Sequence, residues 1–337
     1  MRVWRWPCCG RRGAAVAVVV LMMGAGVLHA QQPAVMAPLA AKSLLLDGTV
    51  TGDALVAVGE RGHVLVSRDG GESWQQAPVP IRSMLTAVSF ADPETGCAVG
   101  HDEAIVCTWD GGRSWELVHW APENESPLLT ILFLDGGRAL TAGAYGRFLE
   151  SLDAGRTWEE RWVGDEDLHL NHLVRSETGR LYLAAESGII FRSDDSGESW
   201  EELPSPYEGS FFGTLPLEGD TLLAFGLRGN LFRSEDGGES WEDIETGTRS
   251  LLGHGSVLAD GTVVVAGLAG AVLVSRDGGR IFQRFQLPDR RGISAVLESH
   301  GGGLVRVGEG GVLPLDLGGM GADQGVSGEA GGEGGES

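Results

Sequence analysis

The octet Ser-Arg-Asp-Gly-Gly-Glu-Ser-Trp at residues 67–74 returns, in variants, through most of the chain: at 108–115, 151–158, 193–200, 234–241 and, with Phe in place of Trp, at 275–282. Its central aspartates, Asp69, Asp110, Asp153, Asp195, Asp236 and Asp277, stand 41, 43, 42, 41 and 41 residues apart. A period this regular restricts the chain to a repeat architecture, in which one supersecondary unit is copied and stacked on its neighbours.

Each copy reads Ser/Thr-x-Asp-x-Gly-x-Ser/Thr-Trp, and each residue type has a mechanical reason to be there. The short aspartate side chain accepts hydrogen bonds from backbone N–H groups just ahead of it and folds the chain into an Asx-type turn. The glycine two residues later accepts a positive φ. Trp74, Trp115, Trp158, Trp200 and Trp241 then anchor the start of the next strand with a buried ring. The pattern resembles the Asp-box, or BNR, hairpin. Ahead of it comes a Gly-x-x-Gly turn between alternating apolar residues, as at 59–62, 143–146, 226–229 and 267–270, and ahead of that one more short strand, as at 85–90, 128–134 and 293–297. These are hairpin signals. The unit is therefore four antiparallel strands, here lettered a to d, of about 42 residues, the size of a propeller blade.

Six octets mark six blades, and residues 293–317 supply strands a, b and c of a seventh that has no octet and no Trp-led strand d. The expected fold is thus all-β, a seven-bladed propeller over residues 31–317. Because a ring must hide its edges, residues 34–42 are expected to lend blade seven its outer strand, with residues 44–50 opening blade one. Residues 318–337 are rich in Gly and Glu and too poor in large apolar residues to order themselves.

Arg2, Arg5, Arg11 and Arg12 precede an apolar run at 14–28 that ends in Leu-His-Ala, so residues 1–30 read as a signal peptide cleaved after Ala30. The expected compartment is the periplasm. Cys8 and Cys9 leave with the signal. The net charge of −22 becomes −26 without those four arginines, and Lys42 is the single lysine. Such a balance argues against nucleic acid or anionic lipid as a partner and suits a self-repelling, monomeric protein. Cys97 and Cys107 remain, on neighbouring strands of blade two. With the register set by a turn at Gly100, Cys97 is expected opposite Val106 and Cys107 opposite Gly96, the thiols on opposite faces. A disulfide is open to an exported chain, but that register favours two buried small hydrophobes.

A signal-bearing chain of seven short blades, most carrying Gly-x-x-Gly and then Ser-x-Asp-x-Gly-x-Ser-Trp, resembles the photosystem II stability/assembly factor-like proteins of the BNR propeller class over residues 34–317. The resemblance implies a non-catalytic scaffold that attends a membrane protein complex on the exported side, peripheral to the membrane through its client, with no cofactor. The chain departs from the pattern at Ile281-Phe282, at Glu103 in place of the second turn glycine of blade two, and in its tail. The alternative is a glycosidase or sialidase-type hydrolase, since Asp-boxes also occur on such propellers. That chemistry needs an arginine clamp and a Glu-activated tyrosine, and the chain has three tyrosines, Tyr145, Tyr182 and Tyr207, without the Phe-Arg-Ile-Pro motif. His169 and His172 lie among acids but make no expected metal site.

In a propeller the b–c turns and d–a links share one face. On it, blades two to four contribute Asp102, Glu103, Glu123, Glu125, Asp165, Glu166, Asp167 and Glu186, an acidic arc. Blades five through seven to one contribute Arg228, Arg249, Arg290, Arg291, Arg61 and Arg82, with Glu309 the main exception. Arginine suits bidentate recognition of carboxylates, so this sector is the candidate partner-binding surface, with acidic loops of a client as its ligand.

Overall fold

The computed structural model describes residues 32–318 except residue 165. Residues 1–31, Asp165 and the tail beyond 318 lie outside the described residues, and with them the expected signal peptide. The rest forms seven antiparallel sheets in sequence order, six of four strands and one of three. Innermost are the a strands, Leu45–Thr51, Leu85–Phe90, Leu128–Phe133, Leu170–Arg175, Phe211–Pro216, Leu252–Val257 and Ile293–Glu298. Each touches the a strands of its two neighbours, and Ile293–Glu298 touches Leu45–Thr51, so the ring closes into a seven-bladed propeller. The other elements are short 3-10 turns, and among the described residues no helix is long and apolar enough to cross a membrane.

The b strands are sandwiched between neighbouring blades and are buried throughout, which is why Ala54–Gly59, Leu222–Gly226 and Val263–Gly267 are almost wholly apolar where a one-sided strand would alternate. Apolar side chains of adjacent blades interlock: Val56, Val58 and Val64 of blade one with Leu85, Val88 and Val106 of blade two. At the closure, Leu45, Leu55 and Leu65 of blade one meet Leu297, Val305 and Val307 of blade seven.

The two glycines of the Gly-x-x-Gly turn serve different ends. A side chain on the first would collide with the chain entering strand a; a Cβ at Gly100 would lie 2.0 Å from the Met84 carbonyl oxygen. That same carbonyl accepts the N–H of His101 (2.9 Å), and the equivalent bond recurs from Glu60 to Leu44 and from Leu268 to Leu251. The second glycine holds a positive φ, 71° at Gly62, and follows a left-handed residue, Arg61 at φ 59°.

The Asp-box turns form as their residue types dictate. Asp69 Oδ1 accepts the Ser67 hydroxyl (2.8 Å) and the Ser73 N–H (2.9 Å), the Ser67 hydroxyl oxygen accepts the Gly71 N–H (2.8 Å), and Gly71 sits at φ 96°. Asp110, Asp153, Asp195 and Asp236 repeat the network, and Asp277 keeps it without the second hydroxyl. The hydroxyl and backbone donors hold Asp69, Asp195 and Asp236 at about 2, and do the same for Asp110 against a desolvation that pushes the other way. The tryptophans are less uniform than expected. Trp115 is buried, whereas Trp74, Trp158, Trp200 and Trp241 are partly exposed.

These turns also join blade to blade. The residue after Asp110, Asp153, Asp195, Asp236 and Asp277 is left-handed and turns its carbonyl toward the preceding blade, where a side chain donates to it: Arg68 to Gly111 (2.7 Å), Trp109 to Ala154 (3.3 Å), Arg138 to Ser196 (2.6 Å), Arg192 to Gly237 (3.3 Å) and Arg233 to Gly278 (3.0 Å). Blade seven has no Asp-box, so Arg276 of blade six has no such carbonyl to reach and is exposed.

Two sequence expectations are corrected. Residues 34–42 add no strand to blade seven: they run extended, then turn once as a 3-10 helix at Ala40–Lys42 against strand c of that blade, Gly311–Leu315. Among the described residues blade seven has three strands, and its outer edge is unsuited to a fourth: Pro314 occupies the place of Val66 in blade one, where strand c pairs with strand d. Proline has no N–H to donate there and is tolerated at an edge. The segment is instead tied to blade one, with Ala34 N–H on the Val79 carbonyl (2.9 Å) and Ala37 N–H on Gln76 Oε1 (2.8 Å). The second correction concerns the cysteines. The loop from Gly100 to Ala104 holds one residue more than the expected register allowed, so Cys97 faces Cys107 directly, and the two form a disulfide with Cα atoms 4.1 Å apart. It packs on blade three, where Gly155 lies so close that a Cβ would fall 2.4 Å from the Cys97 sulfur.

Candidate functional site: the turn face and the channel mouth

Contacts between the b–c turns and the d–a links put both on one face: Gly62 lies against Ile81 and Arg82, Gly229 against Thr248, and Gly270 against Arg290. All six candidate arginines are exposed on it. Arg61 lies 3.9 Å from Glu60, Arg82 donates to Gln32 (3.0 Å), and Arg291 lies 4.0 Å from Asp289. The guanidinium groups of Arg228, Arg249 and Arg290 have no ion pair or hydrogen bond among the described residues. Glu309, the main acidic exception, is spent on the framework: its carboxylate accepts the Gly292 N–H (2.9 Å). The sector from blade five round to blade one thus presents six exposed arginines, two of them beside an acid, Glu60 or Asp289.

The acidic arc is only partly as expected. Glu123, Glu125, Glu166 and Asp167 are exposed, and Asp102 accepts the Ser83 hydroxyl (2.5 Å). Glu103 does not belong to it. Its side chain is 0% exposed, held between His119 Nε2 (3.2 Å), Asn124 Nδ2 (2.9 Å) and Arg147 Nε of blade three (2.9 Å). Burial works against its charge, but these three partners outweigh it and hold the carboxyl below the usual range. Where other blades have glycine, Glu103 sits at φ 48° and braces the link at residues 121–126. The sequence marks this residue as a departure from the repeat but does not reveal its partners, which come from other elements.

Inside the ring, the third residues of several a strands accept a backbone N–H from the next blade. Asp47 Oδ2 takes Val88 (2.9 Å), Thr130 Oγ1 takes Leu173 (3.0 Å) and His172 Nδ1 takes Thr214 (3.4 Å). Burial pushes Asp47 up to about 7, against the backbone donors of Val88 and Gly48, and pushes His172 and His254 down to about 4. His172 is thus a neutral framework residue, set apart from His169, and no group of three or more potential metal ligands occurs among the described residues.

At the channel mouth on the turn face is a hollow of about 400 Å³ lined by Thr86, Leu129, His169, Asn171, Glu186, Ser210, Phe212 and Gly253. Most are second residues of a strands, which a bulge turns toward the channel. Tyr145, 59% exposed, stands beside it with its ring edge-on to His169 at 5.2 Å. Glu186 is the one carboxylate in this lining, and no arginine enters it.

The sequence model of the family described as "Photosynthesis system II assembly factor YCF48" matches residues 72–201. The chain resembles a photosystem II assembly factor of the BNR propeller kind. Among solved structures, "YCF48 bound to D1 peptide" shares 22% identity at a TM-score of 0.67, covering 85% of this chain and 96% of that one. YCF48 from Cyanidioschyzon merolae shares 16% at 0.65, covering 85% and 98%. The same fold carries an enzyme: virginiamycin B lyase from Staphylococcus aureus superposes at 0.69 with 12% identity, covering 80% and 94%. At these identities the structural likeness speaks for the fold. No protein of curated function matches the sequence.

Proposed function

We propose that this protein is an exported, non-catalytic propeller scaffold that binds acidic loops of a membrane protein client on its turn face, from the periplasmic side, as an aid to that client's assembly or stability. The observation that carries the reading is the arginine sector. On a chain of net charge −22, Arg228, Arg249 and Arg290 stand exposed without acidic partners among the described residues, on the same face as Arg291, Arg61 and Arg82. Lone surface arginines are poor contributors to stability, and guanidinium groups recognise carboxylates bidentately. The resemblance to YCF48, solved with a peptide of D1, supports a role in holding a segment of another protein. A hydrolase reading lacks its chemistry at the channel mouth, where glycoside cleavage would call for two carboxylates and the lining holds Glu186 alone. The protein works as a monomer, without cofactor or nucleic acid, and reaches the membrane through its client.

Site-directed photocrosslinking tests the face. A photoreactive residue replacing Arg249 should crosslink to an envelope membrane protein in cells, while the same residue replacing Leu152, exposed at an Asp-box turn on the opposite face, should not. Crosslinks of equal yield from both positions, or from Leu152 only, would refute the assignment.

A further inference from the structure

The hollow at the channel mouth has a donor and acceptor balance of its own. The Thr86 hydroxyl lies 2.6 Å from the Leu128 carbonyl and 3.1 Å from the Val99 carbonyl, so its proton is committed to the backbone. Asn171 gives an N–H of its amide to the Phe211 carbonyl (2.8 Å), which fixes the amide and leaves its Oδ1 as an open acceptor. Glu186 accepts the His169 N–H at Oε1 (2.9 Å), and its Oε2 lies 3.9 Å from His169 Nδ1, beyond hydrogen-bond reach. The open groups thus include two acceptors, one of them a carboxylate, beside the exposed ring of Tyr145 and the apolar surfaces of Leu129 and Phe212. Aromatic rings attract cations, a carboxylate with a neighbouring amide oxygen satisfies a multi-donor cation, and no lysine or arginine lines the hollow to fill it from within.

We infer that the hollow at the channel mouth takes a cationic side chain, an arginine or lysine of the bound client, with the ammonium or guanidinium group on Glu186 and Asn171 and its aliphatic stem on Leu129 and Phe212. The inference rests on the client-binding reading and adds to it: the client's docking segment carries a basic residue that enters the channel mouth, while its acidic residues meet the arginines of blades five, six, seven and one. The exposed acids Glu123, Glu125, Glu166 and Asp167 on the surrounding rim attract the same charge from a distance.

The test is a titration of the exported chain, residues 31–337, with Nα-acetyl-arginine amide and its neutral isostere Nα-acetyl-citrulline amide, followed by backbone amide NMR shifts. Saturable shifts at Tyr145, His169 and Glu186 are expected with the arginine probe, with a dissociation constant of about 1–10 mM, as suits a single side chain, and none with citrulline. Glu186→Gln, which keeps the acceptor for the His169 N–H, should weaken the arginine probe at least tenfold. Tyr145→Asn, chosen because asparagine tolerates the φ of 57° at that position, should weaken it a few-fold. Equal shifts with citrulline, unchanged binding by Glu186→Gln, or arginine shifts confined to other surfaces would overturn the inference. Reversal of the arginine sector should leave the probe's binding intact, which separates the two readings: a probe that binds in a protein whose arginine reversal does not affect client capture fails only the client reading.

Discussion

Replacing Arg233 by methionine tests whether the Asp-box turns act as joints between blades. The Arg233 side chain is 4% exposed, donates from Nε to the Gly278 carbonyl of blade six (3.0 Å) and from Nη1 to Glu235 (2.5 Å). Methionine keeps most of the buried stem and removes both bonds. A charge-assisted hydrogen bond to a carbonyl is worth about 1.5–3 kcal/mol, and the pair with the exposed Glu235 adds less than about 1 kcal/mol, so a loss of about 2–3 kcal/mol is expected. For a domain of this size that corresponds to roughly 4–10 °C in melting temperature. Arg276→Met is the control, because Arg276 faces blade seven, which has no Asp-box, and should stay within about 0.5 kcal/mol of wild type. Both are read by thermal and urea unfolding of residues 31–337. If Arg233→Met melts with wild type, or no lower than Arg276→Met, the blade-to-blade bond contributes nothing and the reasoning fails.

Three further outcomes follow from the same structure. The Asp47 carboxyl, raised to about 7 in the fold, favours the folded state when protonated, so its contribution is present at low pH and is lost as pH rises from about 4 through 7; Asp47→Asn should therefore gain about 1–3 kcal/mol over wild type at pH 8 and little at pH 4, and a difference independent of pH would refute the burial argument. Deleting residues 34–42 removes the ties to Val79 and Gln76 and the buried Ala40, and should lower the melting temperature by several degrees, whereas an unchanged melt would show that the segment does not cover the edge of blade seven. Trp115→Ala should cost about 3–5 kcal/mol and Trp158→Ala about half that, because the first ring is buried and the second partly exposed; equal costs would contradict the difference in packing.

The fold was legible because its strongest signals are local. The serine, aspartate and glycine of an Asp-box bond within five residues of one another, and the pair of glycines around Arg61 or Arg228 is demanded by a collision and a positive φ inside a single turn. What escaped depended on a count or on a distant partner. The pairing of Cys97 with Cys107 turns on one residue in the loop between Gly100 and Ala104, and a slip of one inverts every side chain after it. That residues 34–42 add no strand to blade seven is in keeping with Pro314, whose effect appears only when it is laid beside Val66 of blade one. Glu103 read as an exposed acid because nothing next to it in sequence announces Arg147 or His119. The arginine sector could be placed from sequence, since strand order alone assigns each turn to a face. The channel hollow could not, although Glu186 and His169 each stand out in the sequence, because its lining is drawn from five blades.

The central claim is met most directly by changing Arg61, Arg228, Arg249 and Arg291 together to glutamate and measuring how much client a tagged form of residues 31–337 retains from detergent-solubilised envelope membranes at low and at raised salt. The account predicts that wild type retains a membrane protein in a manner that weakens as salt rises, and that the fourfold variant retains none while its melting temperature stays near wild type. Retention by the variant equal to that of wild type at both salt concentrations would contradict it.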